Sequence, residues 1–275
     1  MGGAFWSESA ATAERQGWLG YNDRSTDVQV IMQRMYNSST LYTTLSALFV
    51  DHSPMYAAGS MRISLDSAGT VQADTYGNDL GSGTPTEQVT EDGSSVTLYS
   101  PKLNKYVALP ASRPHLLTPL SSLPLTVGDS VTGPTQIRGS SNLVEMANMF
   151  VHPAAFVTST FFENKTVSVA GHTSLAGRSA DELVGTLSPK DPVGAQLAST
   201  IGDTRRVLVD SATGVLLRLE YYYHGKSMGW AELKNLTIRT GPVAPSASAV
   251  SAAPNVPPGA AATDWKTYAA QQKGH

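Results

Sequence analysis

The six histidines are the obvious candidates for chemistry in this chain, and they stand singly: His52, His115, His152, His172, His224 and His275. No His-x-x-x-His or His-x-His pair occurs, so no helix face or strand offers two imidazoles to one metal ion. The absence of cysteine removes thiolate zinc sites, disulfides and cysteine nucleophiles together. The stretch "GHTSLAG" (171–177) misses Gly-x-Ser-x-Gly by one position. It also sits between strand and turn patterns, whereas a nucleophilic serine of that type needs a strand running into a helix. Neither glycine-rich phosphate cradle is present. Adjacent acidic residues occur at 91–92 and 181–182, beside turns, and nominate no acid–base pair. The expectation is a protein with no catalytic residues, no metal and no cofactor. A hydrolase resting on His172 or His224 ranks behind a binding role.

Composition narrows the binding role. The 275 residues are 41% hydrophobic and only 15% charged, below the usual quarter for soluble domains. A net charge of -3 and a pI near 6.1 offer no basic stripe, so nucleic acid is excluded as a partner. No run of 18 apolar residues exists to span a membrane. Low charge with abundant Ser, Thr and Gly fits a β-rich exported protein. "MGGAFWSESA" reads as an expression start from which a signal or anchor has been removed, and the closing "QQKGH" is open to a similar reading. The expected location is the bacterial cell envelope or its extracytoplasmic face.

The elements that would position a ligand follow from periodicity. In "STDVQVIMQRM", Val28, Ile31, Met32 and Met35 lie on one helical face, and Thr26 with Gln29 has capping-box spacing. From Thr43 to Leu109 come short strands separated by Gly, Pro, Asp and Ser turns, close enough for an antiparallel meander. Residues 110–140 hold five prolines and Leu116, Leu117, Leu120, Leu123 and Leu125. Five large apolar side chains do not suit a solvated linker, so the segment is either a flap over an apolar cavity or a loop sealing a sheet edge. Asn142 and Glu145 open a second helix with Leu143, Met146, Ala147 and Phe150 on one face, limited by Pro153. Strands return after Phe161, among them "TRRVLVDSATGVLLRLEYYYHG", a partner in pattern to "DGSSVTLYSPKLNKYVALP". Residues 241–263 collapse to Ala, Pro, Ser and Val, and "DWKTYAAQQ" beyond them is either a docked helix or disordered. The layout is an extension (1–25), one domain (26–240) and a partly disordered Ala/Pro-rich tail (241–275).

The order of these pieces resembles the lipoprotein-carrier superfamily, comprising LolA- and LolB-like proteins, the RseB N-terminal domain and LppX-type lipid-binding proteins. The resemblance is carried by the first helix, "LSALFVD", "GSMRISLD", "DGSSVTLYSPKLNKYVAL", the Leu/Pro loop and the second helix. It continues through "VSVAGHTSLAGRSADELVGTLSP" and "RRVLVDSATGVLLRLE". It implies an α+β fold, a strongly curved antiparallel sheet forming an open half-barrel with helices over the concave face, and no enzymatic activity. It also implies an apolar cavity for a lipid or the acyl chains of a lipoprotein. The alternative it leaves open is an envelope-stress sensor that binds a partner protein, a membrane-associated one included. The expected lining is Met32, Met35, Phe49, Met61, Ile63, Val96, Leu98, Met146, Phe150, Leu217, Leu219 and Trp230, with the five loop leucines as flap. Arg62, by position on its strand, corresponds to an arginine that carriers of this group use in releasing cargo.

Overall fold

Alternation along the strands decides the architecture. In the computed structural model, residues 26–54, 58–66, 70–92, 95–110, 142–153, 165–187, 198–199, 202–240 and 256–273 are described. The described strands are β1 (Thr44–His52), β2 (Gly59–Asp66), β3 (Thr70–Tyr76), β4 (Glu87–Asp92), β5 (Ser95–Ser100), β6 (Lys105–Pro110), β7 (Lys165–Leu175), β8 (Arg178–Leu187), β9 (Thr204–Asp210), β10 (Leu216–Tyr223), β11 (Lys226–Arg239) and β12 (Ala261–Ala262). They form one sheet in the order β12-β6-β5-β4-β3-β2-β1-β11-β10-β9-β8-β7. Each ladder is antiparallel except β12–β6. The end strands β7 and β12 do not pair, so the sheet curves without closing: an open half-barrel. The expected fold class is the observed one.

The two halves of the sheet are built differently. From β1 to β6 the ladders run without a register shift. From β7 to β11, and where β11 meets β1, bulges interrupt four ladders. A bulge adds one unpaired residue, bends its strand and increases local twist, which is how a wide sheet acquires curvature.

Among the described residues, three α-helices accompany the sheet: α1 (Thr26–Tyr36), α2 (Asn142–Val151) and α3 (Trp265–Lys273). α1 buries Val28, Ile31, Met32 and Met35, and α2 buries Leu143, Met146, Ala147 and Phe150. Both stripes are the ones expected from their spacing, and both join a single hydrophobic cluster with the inner face of the sheet. Within residues 241–275, the described segment 256–273 is ordered against the sheet: β12 lies beside β6, and Tyr268 of α3 is fully buried in the main cluster.

The turn between β9 and β10 shows why "VDSATG" has its sequence. Asp210 Oδ1 accepts hydrogen bonds from the backbone N–H groups of Ala212 and Thr213 and from Thr213 Oγ1. Arg178 Nε donates to Asp210 Oδ2 at 2.5 Å. Gly214 has φ +75°, and a Cβ there would collide with the backbone carbonyl of Arg34 at the end of α1. Only glycine meets both conditions without strain. The turn therefore seats the first helix.

Candidate ligand-binding face

Cross-strand register places the expected residues in rows. Leu233, Phe49 and Met61 lie side by side on β11, β1 and β2. In the next row Ala47, Ile63, Ala73, Val89, Leu98 and Val107 follow one another from β1 to β6. Below it Leu45, Leu65 and Val71 continue toward Val96 and Leu109. All of these except Leu109, which is partly buried, are buried in the main cluster. α2 closes on this surface, while α1 lies toward β7 and β8, where Arg34 meets Asp181. Phe150 of α2 meets Phe49 edge to face with ring centroids 5.0 Å apart, a geometry worth about 0.5–1.5 kcal/mol beyond area burial. Met32, Met35, Met61 and Met146 share the same core, with Met149 and Met228 packed against it.

Of the sequence-predicted lining, the structure brings together Met32, Met35, Phe49, Met61, Ile63, Val96, Leu98, Met146, Phe150 and Leu219. Three others lie on the opposite face. Arg62 alternates with Met61 and Ile63, is exposed, and stands 5.7 Å from the ring centroid of Tyr76. Leu217 joins a small separate cluster with Ala180 and Leu208, because a bulge between Leu216 and Arg218 shifts it out of phase with Leu219. Trp230 pairs in register with His52 and Glu220, opposite the core-facing Ala231. Leu116, Leu117, Leu120, Leu123 and Leu125 lie outside the described residues.

The outer face around Trp230 is a charge lattice. Glu182 pairs with Arg206 at 2.6 Å, Arg206 reaches Glu220 at 3.4 Å, and Arg218 bonds both Glu220 and Glu232. Arg218 and Lys234 stand 5.0 and 5.2 Å from the ring centroid of Trp230. The hydrogen bond from Arg206 holds the Glu182 carboxyl below the usual carboxylate range. For Glu220, burial pushes the other way, and hydrogen bonds from Tyr222 and Arg218 outweigh it. Every carboxylate of the lattice has a cationic partner, which is the arrangement of a solvated structural face.

Sequence periodicity did not single out the inner-face carboxylates. Glu87 and Glu91 are 3% and 1% exposed and share a face with Val89. The signal was available: in "EQVTED" a period of two puts both glutamates on the side of the valine. Asp51 is fully buried at the end of β1; burial raises its pKa although Ser53 N–H donates to Oδ1 at 2.7 Å. Asp181 fastens α1 to the inner face through Arg34 at 2.6 Å and also accepts from the exposed His172 at 2.7 Å. His224 lies 3.3 Å from Asp203 at an exposed turn. Among the described residues no group of three or more His, Cys, Asp or Glu is placed to hold a metal ion, and no helix is long and apolar enough to cross a membrane.

No protein-family model and no curated protein matches the sequence. Solved structures do. An uncharacterized conserved protein from Thermus thermophilus aligns at 12% identity over 86% of this chain and 99% of its own, with a TM-score of 0.42. A chain of the Pseudomonas aeruginosa MucA/MucB complex aligns at 12% over 79% of this chain and 59% of its own, TM-score 0.41. The Mycobacterium tuberculosis lipoprotein LppX aligns at 10% over 78% and 96%, TM-score 0.38. A LolA superfamily protein from Nitrosomonas europaea is also among the matches. At these identities and scores they add no functional argument, and the half-barrel stands on the strand order itself.

Proposed function

We propose that the chain is a non-enzymatic cell-envelope protein that binds a lipid, or the acyl chains of a lipoprotein, between its helices and the inner face of the half-barrel. The observation that supports this best is the methionine content of the helix–sheet core: Met32, Met35, Met61 and Met146 belong to the same buried cluster as the Phe49–Phe150 pair. Unbranched thioether side chains re-pack around a guest more readily than Leu or Val, so such a contact admits a flexible hydrocarbon chain without a rigid preformed shape. The proposed site comprises these six residues with Ile63, Val96, Leu98 and Leu219. Arg62, Leu217 and Trp230 are not part of it.

The test is uptake of a fluorescent fatty acid by delipidated protein, with native mass spectrometry to give the stoichiometry. Met32→Trp and Met146→Trp fill the contact from two helices and are expected to weaken binding at least tenfold with unchanged far-ultraviolet dichroism. Arg62→Ala is expected to bind as the parent does. Wild-type protein that takes up no acyl ligand in either assay would falsify the reading.

A further inference from the structure

One corner of the inner face is polar. Along the row that begins with Leu233, Phe49 and Met61, the following strands present Thr75, Glu87, Ser100 and Lys105. Thr75, Glu87 and Ser100 are all buried, and the Thr75 and Ser100 hydroxyls find no hydrogen-bond partner among the described residues. The Tyr268 phenol of α3 donates to Glu87 Oε1 at 3.1 Å. The segment that delivers this tyrosine is gripped by backbone. Ala261 N–H donates to the Asn104 carbonyl at 3.0 Å and Thr263 N–H to the Tyr106 carbonyl at 2.8 Å, which adds β12 in parallel to the β6 edge. Asn104 Nδ2 donates to the Gly259 carbonyl at 3.3 Å, and Lys105 Nζ to Gln271 Oε1 at 3.4 Å.

The grip is narrow. β12 contributes two residues to the ladder, and of the α3 residues whose burial is described only Tyr268 is buried, with Trp265, Lys266 and Thr267 exposed. The docked segment thus consists of a short strand addition and a single anchor. Unpaired N–H and C=O groups of a sheet edge select a peptide backbone, not a lipid. A buried carboxylate flanked by two hydroxyls selects a hydrogen-bond donor and disfavours an anion.

We propose that the β6 edge and the Thr75–Glu87–Ser100 row form a peptide-docking site, held in cis by residues 259–271. Its external occupant is a segment of a partner protein with the same chemistry: an extended run of small side chains followed by a tyrosine. The chain's own tail is an internal competitor for that site. This inference goes beyond acyl binding and does not depend on it.

The test uses fluorescence anisotropy with a labelled synthetic peptide, VPPGAAATDWKTYAAQQK (residues 256–273), and full-length acceptor proteins. Tyr268→Ala acceptor is expected to bind the peptide at least tenfold more tightly than wild type, because its own tail no longer holds the site. Replacing the peptide's tyrosine by alanine is expected to abolish binding, and adding Glu87→Gln to the acceptor to weaken it severalfold. A Tyr268→Phe acceptor keeps the ring in the core and is expected to fall between the two, which preserves the test if Tyr268→Ala fails to fold. Equal binding to wild-type and variant acceptors, or equal binding of the tyrosine and alanine peptides, overturns the proposal. So does an acceptor that ignores the peptide yet gains fatty-acid uptake, which assigns the row to a lipid. A wild-type dimer that the peptide dissolves assigns the site to a second copy and overturns the partner reading.

Discussion

The hairpins β5–β6 and β9–β10 are both short ribbons rich in Tyr, Val and Leu, yet the sheet uses them in opposite ways. β9–β10 is internal, flanked by β8 and β11. Its turn is centred on Asp210, which is 1% exposed and receives bonds from Arg178 and Thr213 while Gly214 abuts the carbonyl of Arg34. β5–β6 lies at the margin. Its turn ends in Asn104, at φ +48°, whose side chain accepts from Tyr99 and donates to Gly259 of the tail. A turn tied by a buried ion pair has no groups to spare for another segment. A turn built on a neutral amide at an edge leaves its carbonyl and the strand beyond it ready for backbone pairing. The first ribbon holds the fold together; the second presents a surface.

The contrast is open to breakage by substitution. Asp210→Ala removes the acceptor for Arg178 and for the turn, leaving buried donors unpaired. The expected loss is about 3 kcal/mol, toward the lower end for a broken buried pair because Arg178 retains some solvent contact, read from the urea midpoint. Gly214→Ala combines a positive φ with a backbone collision and is expected to cost about 2 kcal/mol, with loss of α1 dichroism accompanying it. Acid sharpens the comparison further. Burial works to raise the Asp210 pKa, but hydrogen bonds from Arg178 and Thr213 outweigh it and hold the group below its ordinary value. Its stabilisation is therefore complete above the ordinary aspartate range and is lost as pH falls through the lowered folded value. A midpoint measured from pH 6 downward is expected to fall more steeply for wild type than for Asp210→Asn, while Asn104 contributes no such dependence.

At the edge ribbon the effects are smaller. Asn104→Ala is expected to cost about 1 kcal/mol, through the left-handed backbone that alanine tolerates poorly and two lost side-chain bonds. Amide hydrogen exchange at Ala261 and Thr263 is expected to quicken severalfold, while Val207 and Leu219 stay protected. Protection at Ala261 and Thr263 unchanged from wild type would remove the distinction between the ribbons. Arg62→Ala, on the outer face, is expected to change stability by no more than about 0.5–1 kcal/mol, the worth of an exposed cation–ring contact.

Much of the inner face was legible. Val28, Ile31, Met32 and Met35 followed a helical period to the core, and Met61, Ile63, Val96 and Leu98 followed the period of two. Arg62 obeys the same alternation that buries its neighbours, so its outward position could have been read from "MRISL" alone. Trp230 likewise alternates with the core-facing Ala231 and Leu233, so "WAEL" places it outward. Leu217 could not be placed that way, because it stands at a bulge between Leu216 and Arg218 of β10. One extra residue reverses the face of everything beyond it, and periodicity carries no mark of where that residue falls.

Local pattern thus determined strands β1 to β11, two of the helices, the Asp-Ser-Ala-Thr-Gly turn and the absence of a recognisable catalytic motif. These depend on contacts within a few residues, where side-chain period and turn chemistry are sufficient. Tertiary structure alone decided which face the bulged residues join and that Tyr268 crosses 181 positions of sequence to reach Glu87. Such choices rest on pairings between distant strands, where a single added residue or one buried phenol outweighs anything written locally.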